Sequence, residues 1–312
     1  MAKNTSNLKF KDPDKHNHML KGADIDNDMR EDLRDAFGIT KKKVEATRNT
    51  IISGPPGVGK SYGALDELKK ANKSFTQILP GMSAIQIVCK LAYAVYNLKP
   101  KEELVVLMDD ADDVVFSDYN ELNKWKLAMA PVDYDLGSIP HYHYTKSIMG
   151  TIQSLEKQKR YDLAKALRSF MKPDELGISI PTDKIRFVIL CNLDLEDPKS
   201  FSGKKMWNAV EPVVDRNNYI RKHYSSDDQW GWLAHVLGTT QPFPAQVNSM
   251  GEQEPAYPLT NQQKIDLLNW MSPRWEKLRT TSYRTVRKLA ENVINYPTRY
   301  EGKWKAQLKV EK

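Results

Sequence analysis

The residues best equipped for chemistry are Gly54-Pro55-Pro56-Gly57-Val58-Gly59-Lys60-Ser61, which satisfy the spacing G-x-x-x-x-G-K-[ST] at every fixed position. Glycines at these places let successive backbone N–H groups turn inward as a concave anion nest. A helix beginning just after them aims its positive N-terminal end at the same point. Lys60 adds a formal charge for the β- and γ-phosphates, and the Ser61 hydroxyl is a hard oxygen ligand suited to Mg2+. Tyr62 follows in the first turn of the expected helix. The pattern predicts a site for ATP and Mg2+.

Such a loop needs a carboxylate on a neighbouring strand. Leu104-Val105-Val106-Leu107-Met108-Asp109-Asp110 supplies five apolar residues and then two acids, at the carboxyl edge where ligands of α/β sheets gather. Asp109 is expected on the Mg2+ side together with Ser61. Asp110 is expected to orient or deprotonate an attacking water, with Asp112 or Asp113 able to share that role. A third apolar run, Phe187-Val188-Ile189-Leu190-Cys191, ends in Asn192, whose amide could reach the γ-phosphate or the same water.

From Thr50 to Leu195 short apolar runs alternate with longer helical stretches, the pattern of an α/β parallel sheet flanked by helices. Strands are expected at Thr50–Ser53, Phe75–Leu79, Leu104–Met108 and Phe187–Leu190, without polar alternation, as in strands buried on both faces. Helices are expected at Lys60–Ala71, Ala84–Asn97 and Tyr119–Met129. Gly150–Met171 reads as a basic helix or helical pair inserted into this core, at about 147–175. Residues 1–38 read as a polar arm with a short helix at Met29–Phe37, and 39–225 as the core. Residues 226–295 read as a small helical domain, with helices at Asp227–Leu237, Asn261–Met271 and Tyr283–Ile294. Gly238–Pro258 reads as a loop, and 296–312 as a mobile basic tail.

A P-loop, a strand ending Asp-Asp and a strand ending in Asn, in this order, resemble the AAA+ ATPases, in which that Asn is called sensor 1. The stretch Asp109-Asp110-Ala111-Asp112-Asp113-Val114-Val115, with Leu122 and Lys126 beyond it, is similar to AAA+ proteins of bacteriophages and plasmids that serve DNA replication or processing. The resemblance implies a P-loop (AAA+) sheet, a small C-terminal helical lid and a homo-oligomeric, hexameric ring. It also implies an arginine finger acting on a neighbouring subunit's γ-phosphate. Arg216 in Val213-Val214-Asp215-Arg216 is the best match, with Arg221 second. Arg284 in Ser282-Tyr283-Arg284-Thr285-Val286 matches the lid's sensor 2 arginine, with Arg279 and Arg287 as alternatives. Two features depart from the pattern: Asp110 stands where Glu is usual, one methylene shorter, and the insertion is not general in the family. The Asp109-Asp110 pair also resembles superfamily 3 helicases, which pack their motifs into a shorter span.

Charge bears on partners. The formal net charge is +7, and Pro273–Lys312 alone holds eleven Lys/Arg against four Glu. Lys146–Lys172 holds seven Lys/Arg against Glu156 and Asp162. Two basic zones on a mixed background favour single- or double-stranded DNA as partner over plain solvated helix faces. Met82, in Leu79–Ser83, occupies the place of a pore loop or of an ordinary strand–helix connection. His141-Tyr142-His143-Tyr144 reads as a strand whose rings stack on bases or simply face outward. His141 and His143 lack a third ligand for a metal, and Trp230 and Trp232 read as packing anchors. Cys89 and Cys191 sit in apolar runs as reduced thiols. No run approaches the roughly 18 apolar residues of a membrane span, so a cytoplasmic protein is expected, in a bacterial host if phage-encoded. The reading is a ring ATPase that remodels or translocates DNA or a protein–DNA assembly. Its rivals are a protein-remodelling ATPase with a protein partner, and a nucleotide-gated scaffold that hydrolyses little.

Overall fold

The computed structural model describes residues 8–308 except 41–46, 113, 134, 136, 172–176, 202, 248–251 and 279–280. In chain order the elements are α1 (Pro13–Ala36), β1 (Thr50–Ser53), α2 (Lys60–Lys70), β2 (Phe75–Ile78), α3 (Ala84–Tyr96), β3 (Leu104–Met108) and α4 (Tyr119–Ala128). There follow β4 (His141–Tyr144), α5 (Met149–Lys157), α6 (Tyr161–Ser169), β5 (Ile178–Pro181), β6 (Ile185–Cys191), α7 (Lys204–Arg216) and β7 (Asn218–Arg221). Then come α8 (Ser226–Thr239), the short strands β8 (Gln246–Val247) and β9 (Gln253–Glu254), α9 (Asn261–Met271), α10 (Tyr283–Asn295) and α11 (Tyr300–Trp304). The chain separates into two compact units. One gathers Met1–Glu31, Pro55–Lys60 and His223–Lys312, the other Asp32–Gly54 and Ser61–Lys222.

The second unit is a mixed α/β structure built on a five-stranded parallel sheet of order β2-β3-β6-β1-β7. Every residue of β1, β3 and β6 is buried, which explains their apolar or small composition, broken only by Arg186 in β6, which pairs with Glu103 at 3.1 Å. Alternation along the strands sends Ile51, Val106, Met108, Phe187 and Ile189 into the apolar cluster with Leu91 of α3, Trp125 of α4 and Val210 of α7. On α2, Ala64 and Leu68 are fully buried. Gly63 there lets Leu33 approach, since a Cβ would lie 3.1 Å from Leu33 Cδ1. Arg34 pairs with Glu67 at 2.6 Å, so the last turn of α1 is tied to α2.

Helix starts follow local capping. Ser83 and Gln86 form a reciprocal capping box at α3, and the Asp118 carboxylate accepts from the Asn120 and Glu121 N–H groups at α4. Between α4 and β6 lies the insertion. Strands β4 and β5 pair antiparallel, Tyr142 opposite Ile180, with α5 and α6 between them. The basic segment is therefore a helical pair, and its break falls at Lys159, whose φ is +60°. Tyr142 is buried against Trp125, ring centroids 5.1 Å apart, and burial pushes its phenol well above the ordinary value.

The first unit has its own core, including Leu8, Met19, Trp230, Leu233, Leu268, Val286, Leu289 and Trp304. Helices α1 and α8 cross at a pair of glycines: a Cβ on Gly22 would lie 2.1 Å from the Gly231 carbonyl oxygen. Lys21–Asp228 at 2.6 Å and the Trp232 Nε1–Asp26 hydrogen bond at 3.1 Å flank that crossing. The predicted stripe Val286, Leu289, Ala290 and Val293 on α10 is buried.

Two expectations change. The short helix at Met29–Phe37 is the end of a 24-residue α1, whose buried Met19, Ala23, Met29 and Leu33 are spaced too widely among polar residues to stand out. The segment expected to be a mobile tail carries α11. Trp304 is buried there and donates its Nε1–H to the Leu289 carbonyl at 2.9 Å. Residues 309–312 of that tail lie outside the described residues.

Candidate functional site

Strand β1 hands the chain on toward β2 on one side of the sheet, and β6 hands it toward β7 on the other. The order therefore reverses at the β1–β6 pair, and crevices outside the carboxyl ends of strands at such reversals are where α/β sheets take ligands. Asp109 follows β3 directly and Asn192 follows β6. Ser61 lies in the first turn of α2, and its Oγ donates to Asp109 Oδ1 at 2.6 Å across 48 residues of sequence. Two hard oxygen donors thus converge at the sheet's carboxyl edge, the donor set suited to a Mg2+ ion that keeps most of its waters.

The turn after β3 is stitched to the end of β6. The Ala111 N–H donates to the Leu190 carbonyl at 3.0 Å, and the Asp110 N–H to Asp109 Oδ1 at 3.1 Å. Asp110 has φ +48°, in the left-handed region that Asp enters more readily than most residues. Its carboxylate meets the Asn192 Nδ2 amide at 3.4 Å. Asp112 holds Asn192 more firmly: it accepts from the main-chain N–H at 3.0 Å and from Nδ2 at 3.2 Å. The structure thus brings Ser61, Asp109, Asp110 and Asn192 together. Asp112, one of the two candidates to share the water-directed role, holds Asn192 in place. Asp113, the other candidate, lies outside the described residues.

In the other unit the loop Pro55–Lys60 meets its own neighbours. Gly57 has φ +85° and Gly59 φ +81°, which side chains rarely adopt. A Cβ on Gly57 would lie 2.6 Å from Ser282 Cβ, and one on Gly59 2.3 Å from the Trp232 ring. Val58 and Lys60 are buried, and Lys60 Nζ donates to the Pro55 carbonyl at 2.9 Å. Arg284, exposed in the first turn of α10, stands two residues from the Ser282 that flanks Gly57. Of its alternatives, Arg287 stacks over the Phe243 ring at 5.1 Å, and Arg279 lies outside the described residues. Trp232, expected as a packing anchor, packs at Gly59, and Ser282 at Gly57; the glycine partners could not be foreseen because packing against a glycine has no sequence signature on the partner. Tyr62 is exposed.

The finger candidates separate clearly. Arg216 ends α7 two residues before Asn218, which pairs with Thr50 at the start of β1. It therefore lies at the sheet edge opposite Asp109 and Asn192, lining a cavity of about 240 Å3 with Arg48 and Thr182. Arg221 pairs with Ser53 at the carboxyl edge and is already engaged, with Glu196 at 2.7 Å and with Asp194. Met82 curls back, its sulfur accepting from the Leu79 N–H at 3.4 Å. His141 shares a hydrogen bond of 2.9 Å with Ser179 Oγ and stacks on His143. Among the described residues no cluster of three His, Cys, Asp or Glu could hold a metal by itself.

Fold and site together define a mixed α/β protein with a five-stranded parallel sheet, an architecture compatible with a P-loop fold. No known protein-family model matches the sequence. It is 25% identical over 252 residues to an uncharacterized 36.7 kDa protein in the nrdC-mobD intergenic region of Enterobacteria phage T4. That match takes in 79% of this chain and 64% of the phage protein's length. No described helix is long and apolar enough to cross a membrane.

Proposed function

We propose that this chain is a Mg2+-dependent ATPase of the AAA+ P-loop type that acts on DNA or a protein–DNA assembly. The observation that carries this reading is the 2.6 Å contact of Ser61 with Asp109, formed beside Asp110 and Asn192 at the carboxyl edge of a parallel sheet. Gly54–Ser61 would cradle the ATP phosphates, with Lys60 leaving the Pro55 carbonyl for the β/γ-phosphates. Mg2+ held by Ser61 and Asp109 would supply charge neutralisation on those phosphates. Asp110 and Asn192 would hold the attacking water in line with the γ-phosphate. Arg216 would meet the γ-phosphate of a neighbouring subunit in a ring, and Arg284 that of its own. The basic zones Lys146–Lys172 and Pro273–Lys312 favour DNA as the target.

The test is nucleotide binding, read with a fluorescent ATP analogue. Lys60→Ala should abolish tight binding, because the nest loses its formal positive charge. Retention of affinity within about threefold, a free-energy change under 1 kcal/mol, would overturn the assignment. A second reading, a nucleotide-gated scaffold with little hydrolysis, is favoured by Asp110, whose carboxylate is shorter than the usual Glu.

A further inference from the structure

A groove of about 800 Å3 runs between α3 and the inserted α5–α6 pair, away from the residues of the phosphate site. Its α3 side is made by Ile85, Gln86, Cys89, Lys90 and Tyr93, whose spacing puts them on one helical face, with Met82 from the turn before the helix. Facing them are Leu155, Lys159, Arg160 and Tyr161. Apolar groups form the floor. The rim carries three cations, Lys90, Lys159 and Arg160, against one carboxylate, Asp162. Two rings stand open to solvent at this groove, Tyr93 at 45% and Tyr161 at 62% exposure. One turn beyond Tyr93, the Tyr96 ring has Lys165 Nζ 5.9 Å from its centre.

Lys159 is the informative residue. Helix α5 ends in a closing pattern in which the Arg160 N–H reaches the Leu155 carbonyl at 2.9 Å and the Lys159 N–H that of Glu156 at 2.9 Å. The residue at that place takes a left-handed conformation and is usually glycine. Here it is a lysine with φ +60°, a conformation that costs an L side chain more than it costs glycine. The side chain it adds is exposed at the groove mouth.

We infer that this groove binds single-stranded nucleic acid, with Lys159 and Arg160 on phosphates and Tyr93 and Tyr161 stacked on bases. Exposed aromatics beside a cationic rim are what a sequence-tolerant single-strand site requires, since every base has a π-face and every linkage a charge. A duplex would offer no free base faces to the rings. An acidic polypeptide would use the cations and leave the tyrosines idle. The inference names the nucleic-acid contact of the function proposed above, but it stands on residues outside the phosphate site.

The probe is a fluorescein-labelled oligo-dT of about 15 nucleotides, the upper site size of one single-strand module. Anisotropy is followed with the full chain over a salt series, beside ATP-analogue binding. Lys159→Glu with Arg160→Glu should weaken binding at least about tenfold and flatten the salt dependence by about 0.7 log unit per lost phosphate contact. Tyr93→Ala with Tyr161→Ala should weaken binding by about thirtyfold or more, two bases being unstacked, and leave the salt slope unchanged. ATP-analogue binding should stay at the wild-type value in both, which also shows that they fold. Wild-type affinity in both variants, or no oligo-dT binding by wild type at low salt, overturns the inference. So does a tyrosine variant that binds normally while the charge variant loses both oligo-dT and labelled poly-glutamate, the signature of a polyanion or acidic-peptide surface. Loss of ATP binding in the wild type alongside intact oligo-dT binding would sink the ATPase reading and leave the groove standing.

Discussion

Asp112 accepts from both amides of Asn192, so the direction of the Asn192 side chain depends on a residue that need not touch the nucleotide. Asp112→Ala should release that side chain. A misplacement of about 1 Å in a positioning group can lower turnover by roughly a hundredfold, with ATP binding changed little. Asp112→Asn should recover much of the loss, because its amide oxygen still accepts. Steady-state turnover beside analogue affinity reads both effects, and equal turnover in Asp112→Ala and wild type would remove Asp112 from the site. Asp110→Asn should instead bind ATP and retain it unhydrolysed, since it alters only the carboxylate proposed to hold the water and Asn tolerates the left-handed backbone there. Asp109 and Asp110 could be read from the sequence because a buried strand points at them. Asp112 reads only as a candidate for the water, and its hold on Asn192 could not be read, since within Asp109-Asp110-Ala111-Asp112 only the φ of +48° at Asp110 and the turn onto Leu190 decide which carboxylate faces which amide.

The α1–α8 crossing is an element held together by what its residues lack. Gly22→Ala would place a methyl carbon 2.1 Å from a backbone oxygen that has no rotamer through which to yield. It should therefore destabilise by about 1–3 kcal/mol or more. Gly302→Ala, in α11 with open space around it, should be neutral or stabilise by up to about 1 kcal/mol. Denaturant titration of both variants checks the pair, and equal midpoints would show that the glycine crossing is not tight. The same contrast explains what could be read at this scale. Strands β1 and β3 have the bounds their runs predict, because burial on both faces keeps charged residues out of them. Edge strand β7, Asn-Tyr-Ile-Arg and largely exposed, carries no such signal. Helix α7 was hidden by Pro212 inside it, a residue that normally argues against a helix interior.

At the scale of the whole molecule, the proposed arginine finger would need more than one copy of the chain. Arg216 is at the sheet edge opposite its own Asp109 and Asn192, whereas Arg221 is tied to Asp194 and Glu196. Arg216→Ala should leave nucleotide binding near normal and lower turnover about a thousandfold, as loss of a finger acting in trans does. Mixing it with Lys60→Ala subunits should restore activity, because an intact loop can then face an intact finger. No recovery in mixed assemblies would end the trans assignment. The claim on which all of this rests is hydrolysis itself, and phosphate release from ATP by the wild-type chain tests it most directly. With Mg2+ present the account predicts sustained, multiple-turnover release that Lys60→Ala and chelation of Mg2+ each abolish. No release above the Lys60→Ala background, from protein that binds the ATP analogue, would contradict it.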